Sequence, residues 1–144
     1  MNAENTETTT KIELKPKVNI IANRWMTPDG TMLCSKNRWD YVEHTDANGN
    51  YYAVDGGNAY IKLVGDFNSL ENYCVYDTDS ISAIREAFEW GSYGKNGDEE
   101  LHHILLKDLT EEHICAILRT QTKLPDWQKD VFNRELEYRK GVME

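Results

Sequence analysis

Two regimes of hydrophobic patterning meet near residue 77. Before it, apolar and aromatic residues come in short alternating runs separated by turn residues, which predicts β-hairpins; after it they recur at helical spacing. Thr27-Pro28-Asp29-Gly30 joins a proline that presets φ to a glycine open to the left-handed region, so residues 18–22 and 31–35 should fold back on one another. Asp46-Ala47-Asn48-Gly49 carries the Asn-Gly pair that favours a tight hairpin and links residues 39–43 to residues 50–54. Asp55-Gly56-Gly57 stops that strand abruptly, as expected where backbone turns tightly or admits a close neighbour. Residues 59–64 alternate as a third partner, residues 65–69 read as a loop, and residues 70–76, rich in β-formers, read as the last strand.

Beyond this point Asp77-Thr78-Asp79-Ser80 is suited to cap a helix, and Ile81, Ile84 and Phe88 at i, i+3 and i+7 predict one over residues 79–90. Gly91 should end it, residues 91–98 with their three glycines should form a loop, and residues 101–106 read as a short strand or extended segment. Thr110 N-caps a second predicted helix with Glu111 and Glu112 in its first turn and Ile114, Ile117, Leu118 and Gln121 on its inner stripe. After Pro125, Asp126 is suited to cap a third helix that buries Trp127, Val131, Phe132 and Leu136 and turns Lys129, Arg134, Glu137 and Lys140 outward. The expected class is therefore α+β, an N-terminal antiparallel β-sheet of hairpins followed by about three C-terminal helices. Strands are expected at about 17–76 and helices at about 79–140, in a single domain over residues 11–144 behind a disordered tail at residues 1–10.

Composition narrows the function classes. The formal charge of −9 argues against general nucleic-acid binding, which needs lysines and arginines to neutralise phosphates, but leaves room for a local basic pocket around a small anionic ligand. No apolar run approaches the roughly 20 residues of a membrane span, and the N-terminus lacks the basic start and apolar core of a signal peptide. Cys34, Cys74 and Cys115 are widely separated, without Cys-x-x-Cys spacing, and read as reduced thiols of a cytosolic protein.

Reactive constellations are scarce. His44, His102, His103 and His113 stand at no metal-ligand spacing, so neither a metal nor a cofactor is expected. No Gly-x-Ser-x-Gly elbow is present, and His113 and Cys115, two residues apart, lie on different helix faces. The glycine segment Gly91-Ser92-Tyr93-Gly94-Lys95-Asn96-Gly97 matches no phosphate-loop fingerprint, yet its amides could form an anion nest beside Lys95; a plain surface loop is the competing reading. The aromatic residues say more. Trp39 and Tyr41 are expected on one sheet face beside Arg38, and Trp90 and Tyr93 flank the glycine segment, with Arg85 nearby. Rings to stack a base and arginines to hold phosphates are what a nucleotide-like ligand requires.

The series Asn23-Arg24, Thr27-Pro28-Asp29-Gly30-Thr31, Ser35 with Arg38 and Asp40-Tyr41, His44-Thr45-Asp46 with Asn48-Gly49, Asp55-Gly56-Gly57 with Tyr60, and Trp90-Gly91 with Tyr93-Gly94 and Asn96-Gly97 resembles a widespread group of small bacteriophage proteins. The closing Glu135-Leu136-Glu137-Tyr138-Arg139 belongs to the same pattern, which spans nearly all of the chain after the tail. Within that group the chain is similar to the phage Thoeris anti-defence type 1 family. The resemblance implies a sponge acting in the host cytoplasm, which captures the cyclic ADP-ribose signal of a host TIR-domain protein without cleaving it. It also implies a homo-oligomer, dimer or hexamer, with signal pockets shared between subunits and, in some members, separate sites for cyclic oligonucleotides. Candidate ligand-binding residues are Arg24, Arg38, Trp39, Asp55, Trp90, Tyr93, Asn96 and Arg139. Two departures stand out: Trp39 replaces a histidine of the family's Arg-His-Asp-Tyr pattern, and Lys62 and Leu63 occupy positions where arginines usually follow the double glycine. A guanidinium fork on phosphate there is reduced to a point charge or lost. Two other classes stay open, a phage inhibitor that contacts a host protein directly and an enzyme acting on a nucleotide; the enzyme is disfavoured because no acid, base or metal set emerges.

Overall fold

The computed structural model describes residues 11–14 and 18–141. The expected tail at residues 1–10 lies outside the described residues. The fold is α+β, with antiparallel sheets built mostly from the N-terminal half and helices toward the C-terminus. The chain forms two compact units, one running through Tyr76 and the other beginning at Asp77.

In the first unit β1 (Lys11–Leu14), β4 (Val42–Thr45), β5 (Tyr51–Asp55) and β6 (Ile61–Gly65) make a four-stranded sheet in the order β1-β6-β5-β4. A second sheet is centred on β2 (Ile20–Met26), which pairs with β3 (Met32–Ser35), β7 (Glu71–Asn72) and β8 (Val75–Tyr76). Both expected turns form. Gly30 donates to the Thr27 carbonyl at 2.9 Å and Gly49 to the Asp46 carbonyl at 3.0 Å, each glycine with positive φ. Alternation sends Trp25, Leu33, Tyr52, Val54, Ile61 and Leu63 into one buried cluster. The segment 70–76 is not one strand but two short ones, broken at Tyr73 and Cys74, where the Tyr73 amide donates to the Arg24 carbonyl. Nor is it the last.

The second unit departs further from expectation. In place of a helix over residues 79–90 there is a single-turn helix α1 (Ile81–Ile84), and residues 89–92 form β9 (Glu89–Ser92), paired with β10 (His102–Leu105). The reason lies in the carbonyls: Arg85 and Phe88 accept from the amides of Lys107 and Leu106, so the chain is drawn into extended pairing where helix would have continued. Gly91 accordingly sits within a strand opposite His103 and does not end a helix. Ser80 caps α1, its side chain accepting from the Ala83 amide.

Two longer helices, α2 (Glu111–Thr120) and α3 (Asp126–Arg139), close the unit. Thr110 caps α2 as expected, whereas Pro125, not Asp126, is the N-cap of α3. Phe88, Trp90, Trp127 and Phe132 pack edge to face in the core with ring centroids 5.5–6.3 Å apart. Arg134, expected on the outer face of α3, instead turns in and donates to the carbonyls of Asp77 and Asp79 at 2.9 and 2.8 Å.

Candidate functional site

The turn after β3 is held by hydrogen bonds from several directions. Ser35 is buried and its Oγ donates to the Asp40 carbonyl at 2.6 Å while accepting from the Gly57 amide at 2.9 Å. Within the turn, the Lys36 amide donates to Asp40 Oδ2 at 2.8 Å, the Trp39 amide to Asn37 Oδ1 at 3.0 Å and the Asp40 amide to the Asn37 carbonyl at 2.9 Å. The double glycine lies directly against it: a Cβ on Gly57, at φ +51, would stand 2.2 Å from the Asn37 carbonyl carbon. That contact explains why the sequence stops a strand with two glycines. From the core side, buried Asn23 donates to the carbonyls of Asp55 and Tyr60 at 3.2 Å each and accepts from Trp25 Nε1 at 3.0 Å.

On this fixed turn stand Arg38 and Trp39. The Arg38 guanidinium lies 5.3 Å from the Trp39 ring centroid, and Trp39 is 80% exposed. A large indole left in water beside a cation is an unusual use of the residue, since burial of such a ring stabilises a fold by several kcal/mol on the order of 25 cal/mol per Å².

Arg24 and Asp55, the other candidates of this unit, have structural partners. Arg24 Nε donates to the Tyr73 carbonyl at 2.8 Å, and Asp55 Oδ1 accepts from the Gly56 amide at 2.9 Å, fixing the double-glycine turn. Two constellations escaped the sequence reading. His44 Nε2 lies 2.9 Å from Asp29 Oδ2 and 3.3 Å from Thr31 Oγ1, tying the two hairpins together; hydrogen bonds from Thr27 and then His44 hold the Asp29 carboxyl well below the usual carboxylate range. On the outer face of β4 and β5, the hydroxyls of Tyr41 and Tyr51 meet at 2.7 Å and Tyr51 donates to Glu43 Oε1 at 2.9 Å. Burial, reinforced by Tyr41 and Glu43, pushes the Tyr51 phenol up.

The remaining four candidates belong to the second unit. Trp90 is half-buried, edge-on to Phe132 at 5.6 Å, so its ring serves the core. Tyr93 and Asn96 are exposed in the β9–β10 connection. The anion nest considered there is closed: the amides of Gly94, Gly97 and Glu99 already donate to Ser92 Oγ, the Gly94 carbonyl and the Tyr93 carbonyl. Arg139 is held inside. Its Nε donates to Glu135 Oε2 at 2.7 Å and its Nη2 to the carbonyls of Leu106 and Leu109 at 3.1 and 2.7 Å. Glu135 is fully buried and also accepts from Arg85 Nε and Nη2 at 2.9 and 3.0 Å, and Arg85 lies 4.5 Å from the Tyr138 ring centroid. The hydrogen bonds to Glu135 raise the Arg85 pKa further above its ordinary value.

Of the eight candidates, Arg38 and Trp39, neighbours in sequence, lie against one another at the surface of the first unit. Among the described residues no group of three His, Cys, Asp or Glu is placed to hold a metal ion, and no helix is long and apolar enough to cross a membrane. No family model, no curated protein and no solved structure matches the chain.

Proposed function

We propose that the protein is a phage counter-defence factor that binds and sequesters a host cyclic nucleotide immune signal, a cyclic ADP-ribose isomer or a cyclic oligonucleotide, in the host cytoplasm without cleaving it. The observation that carries the reading is the Arg38–Trp39 pair on its hydrogen-bonded turn. The indole offers a face on which a base stacks, worth on the order of 1–3 kcal/mol, and the guanidinium beside it offers paired donors to a phosphate. A turn already fixed from below loses little entropy on binding, so the interaction energy is retained as affinity. Sequestration asks for nothing more reactive than this.

The test is a thermal-shift screen of the purified protein against cyclic ADP-ribose isomers, cyclic di- and trinucleotides and NAD, followed by heat release and chromatography of each hit. A ligand that binds only the native state raises the midpoint and, for a sponge, returns unaltered. Altered product would replace the sponge with an enzyme. Indifference to the whole panel would sink the nucleotide reading in favour of direct contact with a host protein, which the exposure of Trp39, Tyr41 and Tyr51 on one unit favours as the second reading, tyrosine, tryptophan and arginine being the residues that dominate protein interfaces.

A further inference from the structure

Proton accounting in the Tyr41–Tyr51–Glu43 chain defines the sign of what can dock on it. Tyr52 and Val54 of β5 point into the core, and Val42 of β4 packs against it, so Tyr51, Ala53, Tyr41 and Glu43 belong to the opposite, outward face. Glu43 and Ala53 are direct cross-strand partners. The hydroxyls of the two tyrosines meet across this pair, and Ala53, although it faces outward, is fully buried. A carboxylate only accepts, so the 2.9 Å bond to Glu43 consumes the single Tyr51 proton. Tyr51 must then accept in the 2.7 Å bond with Tyr41, which consumes the Tyr41 proton too. Both donors are spent within the chain. What this three-residue chain still offers is acceptors: the second Glu43 oxygen, lone pairs on the Tyr41 and Tyr51 hydroxyls, and the faces of two half-exposed rings; among the described residues of the same face, donors come from Thr45, opposite Tyr51, and from Lys62, opposite Asp55 on the far side of β5.

The geometry points to this face as a docking site for an arginine side chain presented by a protein partner. A guanidinium supplies donors in a planar fork and no acceptor, matching the acceptors of the Tyr41–Tyr51–Glu43 chain next to aromatic rings, where cation–π attraction adds to the hydrogen bonds. A phosphate or a carboxylate would meet lone pairs and a like charge. The chain's net charge of −9 draws basic partners in the same sense. The inference stands independently of nucleotide binding at Arg38 and Trp39 and supplies a partner chemistry for direct protein contact.

The probe is acetyl-Gly-Arg-Gly-amide, with its citrulline analogue as the neutral isostere, titrated into protein carrying 13C in tyrosine rings and alanine methyls. The Tyr41 and Tyr51 ring signals and the Ala53 methyl should shift saturably in the millimolar range, with the citrulline peptide at least about threefold weaker. Glu43→Gln should remove that preference while the Ala53 methyl keeps its buried shift, which certifies the fold. Tyr41→Phe, which deletes one acceptor, should weaken binding without abolishing it. Shifts scattered over the acidic surface, equal responses to both peptides, or a response unchanged in Glu43→Gln would overturn the assignment. Nucleotide-induced thermal shifts measured on Glu43→Gln separate the two readings, since they should be unaltered.

Discussion

Glu135→Ala is the substitution whose cost the structure fixes most tightly. The side chain is fully buried and accepts three charge-assisted hydrogen bonds, at 2.9 and 3.0 Å from Arg85 and 2.7 Å from Arg139. Hydrogen bonds involving charged groups contribute roughly 1.5–3 kcal/mol each, which gives a gross loss of about 5–9 kcal/mol. The two arginine side chains are about a fifth exposed, so water recovers part of that loss. The net cost should fall near the 3–5 kcal/mol found on removing one partner of a buried ion pair, because two guanidinia are left facing one another with no counter-charge. With an m-value of about 1–3 kcal/mol/M, the urea midpoint followed by near-ultraviolet circular dichroism should drop by roughly 1–5 M. Glu135→Gln, keeping shape and one acceptor, should lose less. A double-mutant cycle with Arg139→Ala should return a coupling above about 1 kcal/mol. If Glu135→Ala lies within about 1 kcal/mol of the parent, or the coupling vanishes, the network is not what ties α3 to the segment before it.

Other perturbations test the first unit. Gly57→Ala should cost at least about 2 kcal/mol, from positive φ and a Cβ placed 2.2 Å from Asn37, whereas Gly49→Ala, with nothing within 4 Å, should cost only the backbone strain of about 1 kcal/mol; chemical denaturation of the two variants decides. Because hydrogen bonds from Thr27 and His44 lower the Asp29 pKa on folding, Asp29 stabilises the fold fully above its ordinary value of 3.8, and that contribution is lost as pH falls below it. Asp29→Asn should therefore flatten the acid limb of a stability–pH profile. Trp39→Ala and Arg38→Ala should leave the melting temperature within a degree or two, both side chains being exposed, while abolishing any nucleotide-induced shift; unfolding of either variant would show that the pair belongs to the structure and not to a ligand.

What was legible in the sequence was local. Pro28 with Gly30 and Asn48 with Gly49 write their turns in four residues, and Thr110 marks its helix by a cap three residues from its partner. The misread stretch, residues 79–90, has helical periodicity in Ile81, Ile84 and Phe88 that the structure honours by burying all three, yet only one turn of helix forms. The competing partners, the amides of Leu106 and Lys107, lie about twenty residues away and leave no mark on the local pattern.

The same distinction sorts the arginines, and with them the site. As sequence, Arg24, Arg38, Arg134 and Arg139 are equivalent carriers of positive charge in an acidic chain. Whether the donors of each are spent depends on acceptors far along the chain: the Tyr73 carbonyl for Arg24, those of Asp77 and Asp79 for Arg134, and Glu135 with the Leu106 and Leu109 carbonyls for Arg139. A guanidinium so engaged can reach a phosphate only by abandoning hydrogen bonds of roughly 1.5–3 kcal/mol each, which cancels most of what the phosphate returns. Among the described residues Arg38 has no such engagement, its neighbour being the Trp39 ring, a partner that tolerates a phosphate on the far side of the same guanidinium. A nucleotide reading of this chain therefore stands or falls at Arg38 and Trp39, and binding that survived the loss of both would have to be sought on a different surface.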